Sequence, residues 1–235
     1  MPRWGYDPKS KRYRNLDTGR YAVFDNVLGW AREYAQASGQ VVTVYSRYVA
    51  QGMLRVQDWQ GLMRDEIKKQ YINQYLVGRG GLNQMTQRDW GIIGRALRDQ
   101  YRFLDGFAAD VAAGKLSPAQ IQARARMYVD AAHVALERGR AEAFGMPTLP
   151  AYPGDGQTQC LTNCRCNWDI QEVRDEDGNV IGWNATWVLD PHKQEVHCPD
   201  CPNNAAVWNH LFVPAGMGPR QAAAWRKDAL AQVTR

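Results

Sequence analysis

The chain has 235 residues, 45% of them hydrophobic, with nine tryptophans and eleven tyrosines. This composition is typical of a folded protein and excludes an intrinsically disordered one. No segment reaches the roughly eighteen uninterrupted apolar residues of a membrane span, and the N-terminus lacks the apolar run of a secretory signal peptide. We therefore expect a soluble protein made in the cytoplasm, where clustered cysteines bind metal more often than they form disulfides.

The formal net charge of +5 is unevenly distributed along the chain. Residues 1–163 contain twenty-two Lys/Arg and fifteen Asp/Glu, a balance of +7, whereas residues 164–201 contain three and eight, a balance of −5. A basic surface attracts nucleic acid, although an excess of this size usually reflects a solvated face. The first part of the chain is therefore the candidate for DNA contact.

Residues 1–24 are predicted to form a basic N-terminal arm, because prolines and a glycine disfavour an early helix. The arm is either a flexible terminus or a segment that becomes ordered on a partner, with Trp4, Tyr6 and Tyr13 as anchors. The candidate contacts to nucleic acid or another partner are Arg3, Lys9, Lys11, Arg12 and Arg14.

Residues 25–146 are predicted to form a helical bundle. One helix is expected from Asp25 to about Ser38, before Gly39. The segment VVTVYSRYVAQG follows as a weaker helix, because it begins with β-branched residues. A further helix is expected from Asp58 to about Val77, where a cluster of glycines ends it.

The two following helices have clear start signals. Thr86 and Asp89 resemble a capping box, and apolar residues then recur at three- and four-residue steps. Ser117, with Gln120 three residues later, starts the next helix, which is expected to run to about Phe144. Their apolar faces are expected to pack on each other. The aromatic residues of these faces, Trp90, Tyr101 and Tyr128, are predicted to be core residues.

The composition of the sequence changes after the predicted bundle. Residues 147–159 are rich in proline and glycine and are predicted to be a linker or a structured loop. Residues 160–210 are predicted to form a cysteine-rich β-hairpin that turns at Asp177-Gly178. One face of its second strand would carry Ile181, Trp183, Ala185 and Trp187. Residues 211–235 are predicted to be a C-terminal helix and tail, with Pro219 starting the helix and Trp225 docking it.

The predicted fold is thus mainly α: a helical bundle body, followed by a small cysteine-clipped β-hairpin module that resembles a zinc ribbon, and a short C-terminal helix.

All five cysteines lie in or beside this hairpin, in the pattern Cys160-x3-Cys164-x-Cys166 and, further on, Cys198-x2-Cys201. A structural zinc ion takes four thiolate or imidazole ligands in a tetrahedron. Residues two apart on an extended strand share a face, so both groups can point at one ion. We expect one structural zinc per chain, held by four of the five cysteines. The first choice is Cys164, Cys166, Cys198 and Cys201; Cys160 could replace Cys164 or Cys166, and His197 could replace a sulfur.

Two other interpretations of the cysteines stay open. They could form a thiol cluster without metal, or disulfides in an oxidising particle. A catalytic cysteine is not indicated, because no His or Asp motif forms an activating pair.

The sequence lacks the motifs of several enzyme classes. A nucleobase deaminase needs His-x-Glu, and a zincin needs His-Glu-x-x-His; neither occurs in the chain. The segment GRGG lacks the Lys-Ser/Thr of a phosphate-binding loop. An HNH-type nuclease is harder to dismiss, although the order of its candidate residues does not match a nuclease finger. Those residues are His192, His197, Asn203, Asn204, Asn209 and His210.

The segments LPAYPGDGQTQCLTNCRCNW and HCPDC, the helical run from residue 89 to residue 143, and the segment YRNLDTGRYAV together resemble a known family. They are similar to minor head proteins of tailed bacteriophages and prophages, of the Mu and SPP1 head-morphogenesis types. The resemblance covers about residues 10–205. Its most specific element is NCRC followed by an aromatic strand.

The resemblance implies a non-enzymatic structural role in the phage head, at the portal or inside the capsid, in head assembly, DNA packaging or DNA delivery. The expected partners are the portal protein, the major capsid protein and, by non-specific contact, packaged DNA. No catalytic residue is carried over with the family. An alternative is a zinc-containing nucleic-acid-binding protein or nuclease acting in DNA packaging, and a third reading is an assembly chaperone that leaves before maturation.

Overall fold

The structure, a computed structural model, describes residues 4–7, 12–15, 18–22, 24–190 and 197–233. It divides into two compact units, Met1–Gly139 and Arg140–Arg235. The mainly helical fold with a small β module near the C-terminus, which the sequence predicts, is confirmed. The predicted linker, residues 147–159, belongs to the second unit, where Leu149 and Ala151 are buried.

The first unit begins with a small antiparallel sheet made of β1 (Trp4–Asp7), β2 (Arg12–Asn15) and β3 (Tyr21–Ala22). Before β3, the Thr18 N–H donates to Asn15 Oδ1 at 3.0 Å, and Gly19 has a φ of +69°. These strands replace the flexible arm that the composition of residues 1–24 suggests. Their stability comes from pairing between segments that are separate in the chain, which local composition does not reveal.

Five helices follow: α1 (Phe24–Ala50), α2 (Val56–Arg79), α3 (Gln87–Ala112), α4 (Pro118–Asp130) and α5 (His133–Ala143). Helix α1 does not end before Gly39 but continues through the β-branched stretch as one helix. Val42 in that stretch is fully buried, and the Thr43 hydroxyl donates to the Gly39 carbonyl at 2.7 Å. Packing of this stretch therefore outweighs its modest helix propensity.

Three helix ends follow the predicted signals. Thr86 and Asp89 form a capping box at the start of α3, and Ser117 and Gln120 form one at the start of α4. Helix α2 ends at Gly80, whose φ of +101° lies in the left-handed region that glycine adopts without strain. The single helix expected from residue 117 to 144 is instead divided by a turn at residues 131–132 into α4 and α5.

The core of the first unit contains aromatic residues from three helices. Trp59 of α2 meets Phe107 of α3 edge-to-face at a centroid distance of 5.1 Å, and Phe107 stacks on Tyr128 of α4 at 5.9 Å. The prediction of a buried Trp90 is wrong, because its side chain is 41% exposed. The buried residue of this first turn is instead the neighbouring Asp89.

The second unit contains β4 (Asn167–Arg174), β5 (Val180–Val188), α6 (Asp200–Val207), β6 (Leu211–Pro214) and α7 (Pro219–Ala231). Strands β4 and β5 form the predicted hairpin, and Gly178 in its turn has a φ of +82°. Helix α7 begins at Pro219 as predicted. Helix α6 and strand β6 are not predicted from the sequence; β6 pairs with β5 and completes a three-stranded sheet. Within the described ranges, no helix has the length and apolarity to cross a membrane.

Candidate metal centre

The first cysteine group continues the buried face of strand β4. Cys164, Cys166, Trp168 and Ile170 are all buried, whereas the intervening residues are at least partly exposed. This alternation is the two-residue period of an extended chain. It points Cys164 and Cys166 to the same side, as the Cys-x-Cys spacing predicts.

Cys160 lies in the same region, immediately before a short 3₁₀ turn, Leu161–Asn163. The backbone N–H of Gln159 donates to the carboxylate of Asp200 at 2.7 Å. Asp200 is the first residue of helix α6, so this hydrogen bond holds the start of the cysteine segment against that helix. Asp200 is a contributor that the sequence analysis missed; its place in the first turn of a helix after Cys198 is the signal that identifies it.

The second cysteine group lies at the start of α6. Cys198 is just before the helix, and Cys201 is in its first turn. The Cys201 sulfur is 3.6 Å from that of Cys198, 3.7 Å from that of Cys160 and 3.7 Å from that of Cys164. The sulfurs of Cys198 and Cys160 are 3.4 Å apart. Folding therefore brings together sulfurs that are up to 41 positions apart in the chain.

The five sulfurs form two groups of three that share one member. Within 4.8 Å of one another lie Cys160, Cys198 and Cys201, and likewise Cys164, Cys166 and Cys201. The first-choice set predicted from the sequence is thus divided between the groups. Cys198 belongs to the first, together with Cys160, which the sequence analysis treated only as a substitute.

The geometry of the cluster suits a thiolate-binding metal ion. Two sulfurs bound at about 2.3 Å to one tetrahedral zinc ion lie about 3.8 Å apart, close to the measured distances of 3.4–3.7 Å. All five cysteines are free thiols; a disulfide would hold its two sulfurs at about 2.05 Å. The cluster is therefore a site that could hold a metal ion through cysteine sulfur.

Hydrogen bonds within the cluster separate the acidities of the thiols. The pKa of Cys166 is lowered, first by hydrogen bonds from the thiols of Cys164 and Cys201, and also by the backbone N–H of Asp190. The pKa of Cys201 is raised because its hydrogen bonds to Cys164 and Cys166 favour the protonated form. Without a bound cation, few of these closely packed thiols can therefore be ionised at the same time. A bound metal ion removes this restriction, because its charge stabilises every thiolate that it contacts.

Backbone N–H groups also point at the sulfurs. Burial by itself would raise the pKa of Cys198, but hydrogen bonds from the Cys160 thiol and from the backbone N–H groups of Cys201 and Cys160 lower it. The pKa of Cys164 is raised, first because its thiol donates a hydrogen bond to Cys166, and the backbone N–H of Cys166 opposes this only in part.

His197 lies at the edge of the cluster, next to Cys198 in the chain. Its Nε2 is 3.1 Å from the Asp190 carbonyl oxygen, and the charge of its imidazolium form lowers the pKa of Cys166. Asp190 therefore connects the two side chains, since its N–H donates to the Cys166 sulfur and its carbonyl faces the imidazole. A hydrogen bond from one ring nitrogen to a backbone carbonyl is the usual support of a metal-binding histidine.

The cluster is embedded in the core of the second unit. Trp168, Trp187 and Trp208 lie in that core with Cys164, Cys166 and Cys201. The three indole rings pack on one another at centroid distances of 5.3–5.7 Å. Metal binding and the packing of this core are thus expected to depend on each other.

The other predicted site residues lie elsewhere or outside the described residues. Arg3, Lys9, Lys11 and His192 belong to the latter. Arg12 lies in β2, and the exposed Arg14 of the same strand donates from Nε to the Gly19 carbonyl at 3.0 Å. Asn203 donates to the Val233 carbonyl at 3.0 Å, and the buried Asn204 accepts the N–H of Trp208 through its backbone carbonyl. His210 has a φ of +58° in the turn before β6, and its N–H donates to Thr186. Asn203 therefore links α6 to the end of the described chain, whereas the contacts of Asn204 and His210 lie within α6 and between β6 and β5.

Comparison of the chain with protein-family models, with curated proteins and with solved structures finds no match in any of the three.

Proposed function

We propose that this chain is a structural, non-enzymatic minor head protein of a tailed bacteriophage, which acts at the portal or the inner capsid surface in head assembly, DNA packaging or DNA delivery. The proposal rests on the resemblance of the NCRC and HCPDC segments and of the helical run to head-morphogenesis proteins. The observation that supports a structural role is the cysteine cluster. Three of its sulfurs belong to buried residues in a tryptophan-rich core, where a metal ion would stabilise the fold.

We propose zinc as the metal. Zinc is a closed-shell divalent ion that thiolates bind strongly, and it has no redox chemistry that would damage neighbouring thiols. The residues that would hold it are drawn from Cys160, Cys164, Cys166, Cys198 and Cys201. When bound, zinc would link the β4 segment to α6. A β module of this size needs such additional stabilisation because its own hydrophobic core is small.

Quantitative mass spectrometry of mature, DNA-filled particles of the source phage tests the structural role. The copy number of this chain relative to the portal protein is measured in mature particles and in procapsids. A reproducible low copy number in mature particles, near or below that of the portal, supports a resident minor head protein. Absence from mature particles together with presence in procapsids contradicts residence and favours the assembly chaperone.

A binding experiment separates the proposal from the nucleic-acid alternative. The first unit exposes arginines beside aromatic rings, such as Arg102 at 5.4 Å from the ring centroid of the exposed Phe103, and such pairs can stack on nucleic acid. A nucleic-acid-binding protein or nuclease would bind DNA with an affinity that falls steeply with salt, and the nuclease would nick DNA in the presence of metal. A head protein is retained by purified portal at a salt concentration that abolishes DNA binding.

A further inference from the structure

The sulfur of Cys201 lies at the centre of the cysteine cluster. It is 3.6 Å from Cys198, 3.7 Å from Cys160 and 3.7 Å from Cys164, and it shares a hydrogen bond with Cys166. In a site for one tetrahedral ion, the ion is at the centre and all four sulfurs are neighbours of one another. Here Cys160 and Cys198 do not form one group with Cys164 and Cys166, so the arrangement is different.

That arrangement is two triangles with a common corner. Cys160 and Cys198 complete a triangle with Cys201 on one side, and Cys164 and Cys166 complete one on the other side. Among the side chains that the structure describes, the metal-ligand atoms that lie within 4.8 Å of one another form these two groups of three, and no group of four. One ion bound to three sulfurs of either triangle leaves the two remaining thiols unused.

We propose that the cluster binds two divalent metal ions of the zinc and cadmium class, with Cys201 as a thiolate that bridges them. Cys160 and Cys198 are the other sulfur ligands of the first ion, and Cys164 and Cys166 are those of the second. This inference rests on the proposed metal-binding role of the cysteines and changes the number of ions from the one that the sequence predicts to two.

The charge of the cluster is consistent with two ions. Two divalent ions offset the charge of four of the five thiolates, whereas one ion offsets only two. The buried position of Cys164, Cys166 and Cys201 makes an uncompensated charge costly.

His197 joins neither triangle, because its ring nitrogens do not lie within 4.8 Å of all three sulfurs of either group. Cys160 and Cys198 are only half-buried, so water can reach the first ion as its fourth ligand.

The first test is the metal content of the full chain, purified under reducing conditions with zinc present. Native mass spectrometry counts the ions per chain, and elemental analysis identifies them. Two zinc ions per chain are the expected result. One ion per chain overturns the two-ion cluster but leaves the single structural zinc of the proposed function intact. A metal-free chain overturns both.

Reconstitution with ¹¹³Cd²⁺ tests the bridge itself. Two ions that share the Cys201 sulfur give two cadmium NMR signals that split each other through that atom. Two signals without mutual splitting overturn the bridging role of Cys201. This measurement uses the wild-type chain, so it does not depend on a variant that folds.

Single substitutions then assign the ligands. Cys166→Ser is expected to lose the second ion and keep the first, and Cys198→Ser the reverse; Cys201→Ser loses both. The matched control is Asp169→Asn, an exposed residue of β4, which keeps two ions. If Cys166→Ser keeps both ions, or if it and Cys198→Ser each lose both, the assignment of two separate triangles is wrong.

Discussion

Helix α5 approaches helix α2 so closely at Gly139 that a single methyl group should disrupt the contact. A Cβ atom at residue 139 would lie 2.5 Å from the Tyr75 carbonyl oxygen, 2.9 Å from the Arg79 nitrogen and 3.2 Å from the Gly78 carbonyl carbon. All three are backbone atoms at the end of α2, so no flexible side chain can give way. Ordinary contacts of this kind begin near 3.4 Å, and the helices would have to separate by several tenths of an ångström.

Gly139→Ala should therefore lower the free energy of unfolding of the first unit. Overpacking of a tight contact costs about 1–3 kcal/mol, and here the rigid neighbours favour the upper part of that range. The gain in helix propensity from glycine to alanine is about 1 kcal/mol and offsets part of this cost. The expected net loss is about 1–2 kcal/mol.

Gly94→Ala is the matched control for this substitution. Gly94 lies in the interior of α3, is exposed, and has nothing within 4 Å of the position of a Cβ atom. The same chemical change should therefore stabilise the chain by about 1 kcal/mol. Urea denaturation followed by far-ultraviolet circular dichroism measures both variants. If Gly139→Ala is as stable as Gly94→Ala, the close approach of α5 and α2 is refuted.

Further predictions concern the first unit and the metal cluster. Burial by itself would raise the pKa of Asp89, but hydrogen bonds from neighbouring hydroxyl groups outweigh it and lower that pKa. The stabilisation from ionised Asp89 is therefore present above the ordinary carboxyl pKa of about 4 and disappears as the pH falls further. Asp89→Asn should cost about 1–3 kcal/mol near neutral pH, and urea denaturation should show that this difference from wild type narrows by about pH 3. Trp59→Ala should cost about 3–5 kcal/mol because Trp59 is fully buried, whereas the exposed Trp90→Ala should cost less than about 1 kcal/mol; equal losses in denaturation would contradict the burial of one and the exposure of the other. Removal of metal by a chelator should lower the melting temperature of the second unit, monitored by tryptophan fluorescence; an unchanged melting curve would contradict a structural metal.

Local signals in the sequence were sufficient where a structure depends on neighbours in the chain. The capping boxes at Thr86 and Ser117 and the hairpin turn at Gly178 were predicted correctly. Each depends on hydrogen bonds or backbone angles within a few residues, so the sequence pattern contains most of the cause.

The predictions that were wrong concern elements whose structure depends on packing against distant segments of the chain. The β-branched stretch after Gly39 continues α1 because its Val42 is buried, although its propensity favours a break. Trp90 follows the periodicity of a core face, but its side chain is 41% exposed while the adjacent Asp89 is buried. Helix α6 and strand β6 are short, so their stability comes from the sheet and the tryptophan core, and not from their own sequences.

The cysteine cluster likewise depends partly on local sequence and partly on packing between distant segments. The sequence by itself determined that five cysteines flank a hairpin, and that their spacing suits metal ligands. Only the tertiary structure decided which sulfurs lie close together. Strand β4 and helix α6 must pack on each other before Cys160 can approach Cys198. The same packing places Cys201 between the pair Cys160 and Cys198 and the pair Cys164 and Cys166. Spacing limits what one segment can present to an ion. The relative position of two segments is set by the hydrophobic core that they share, which no single stretch of sequence contains.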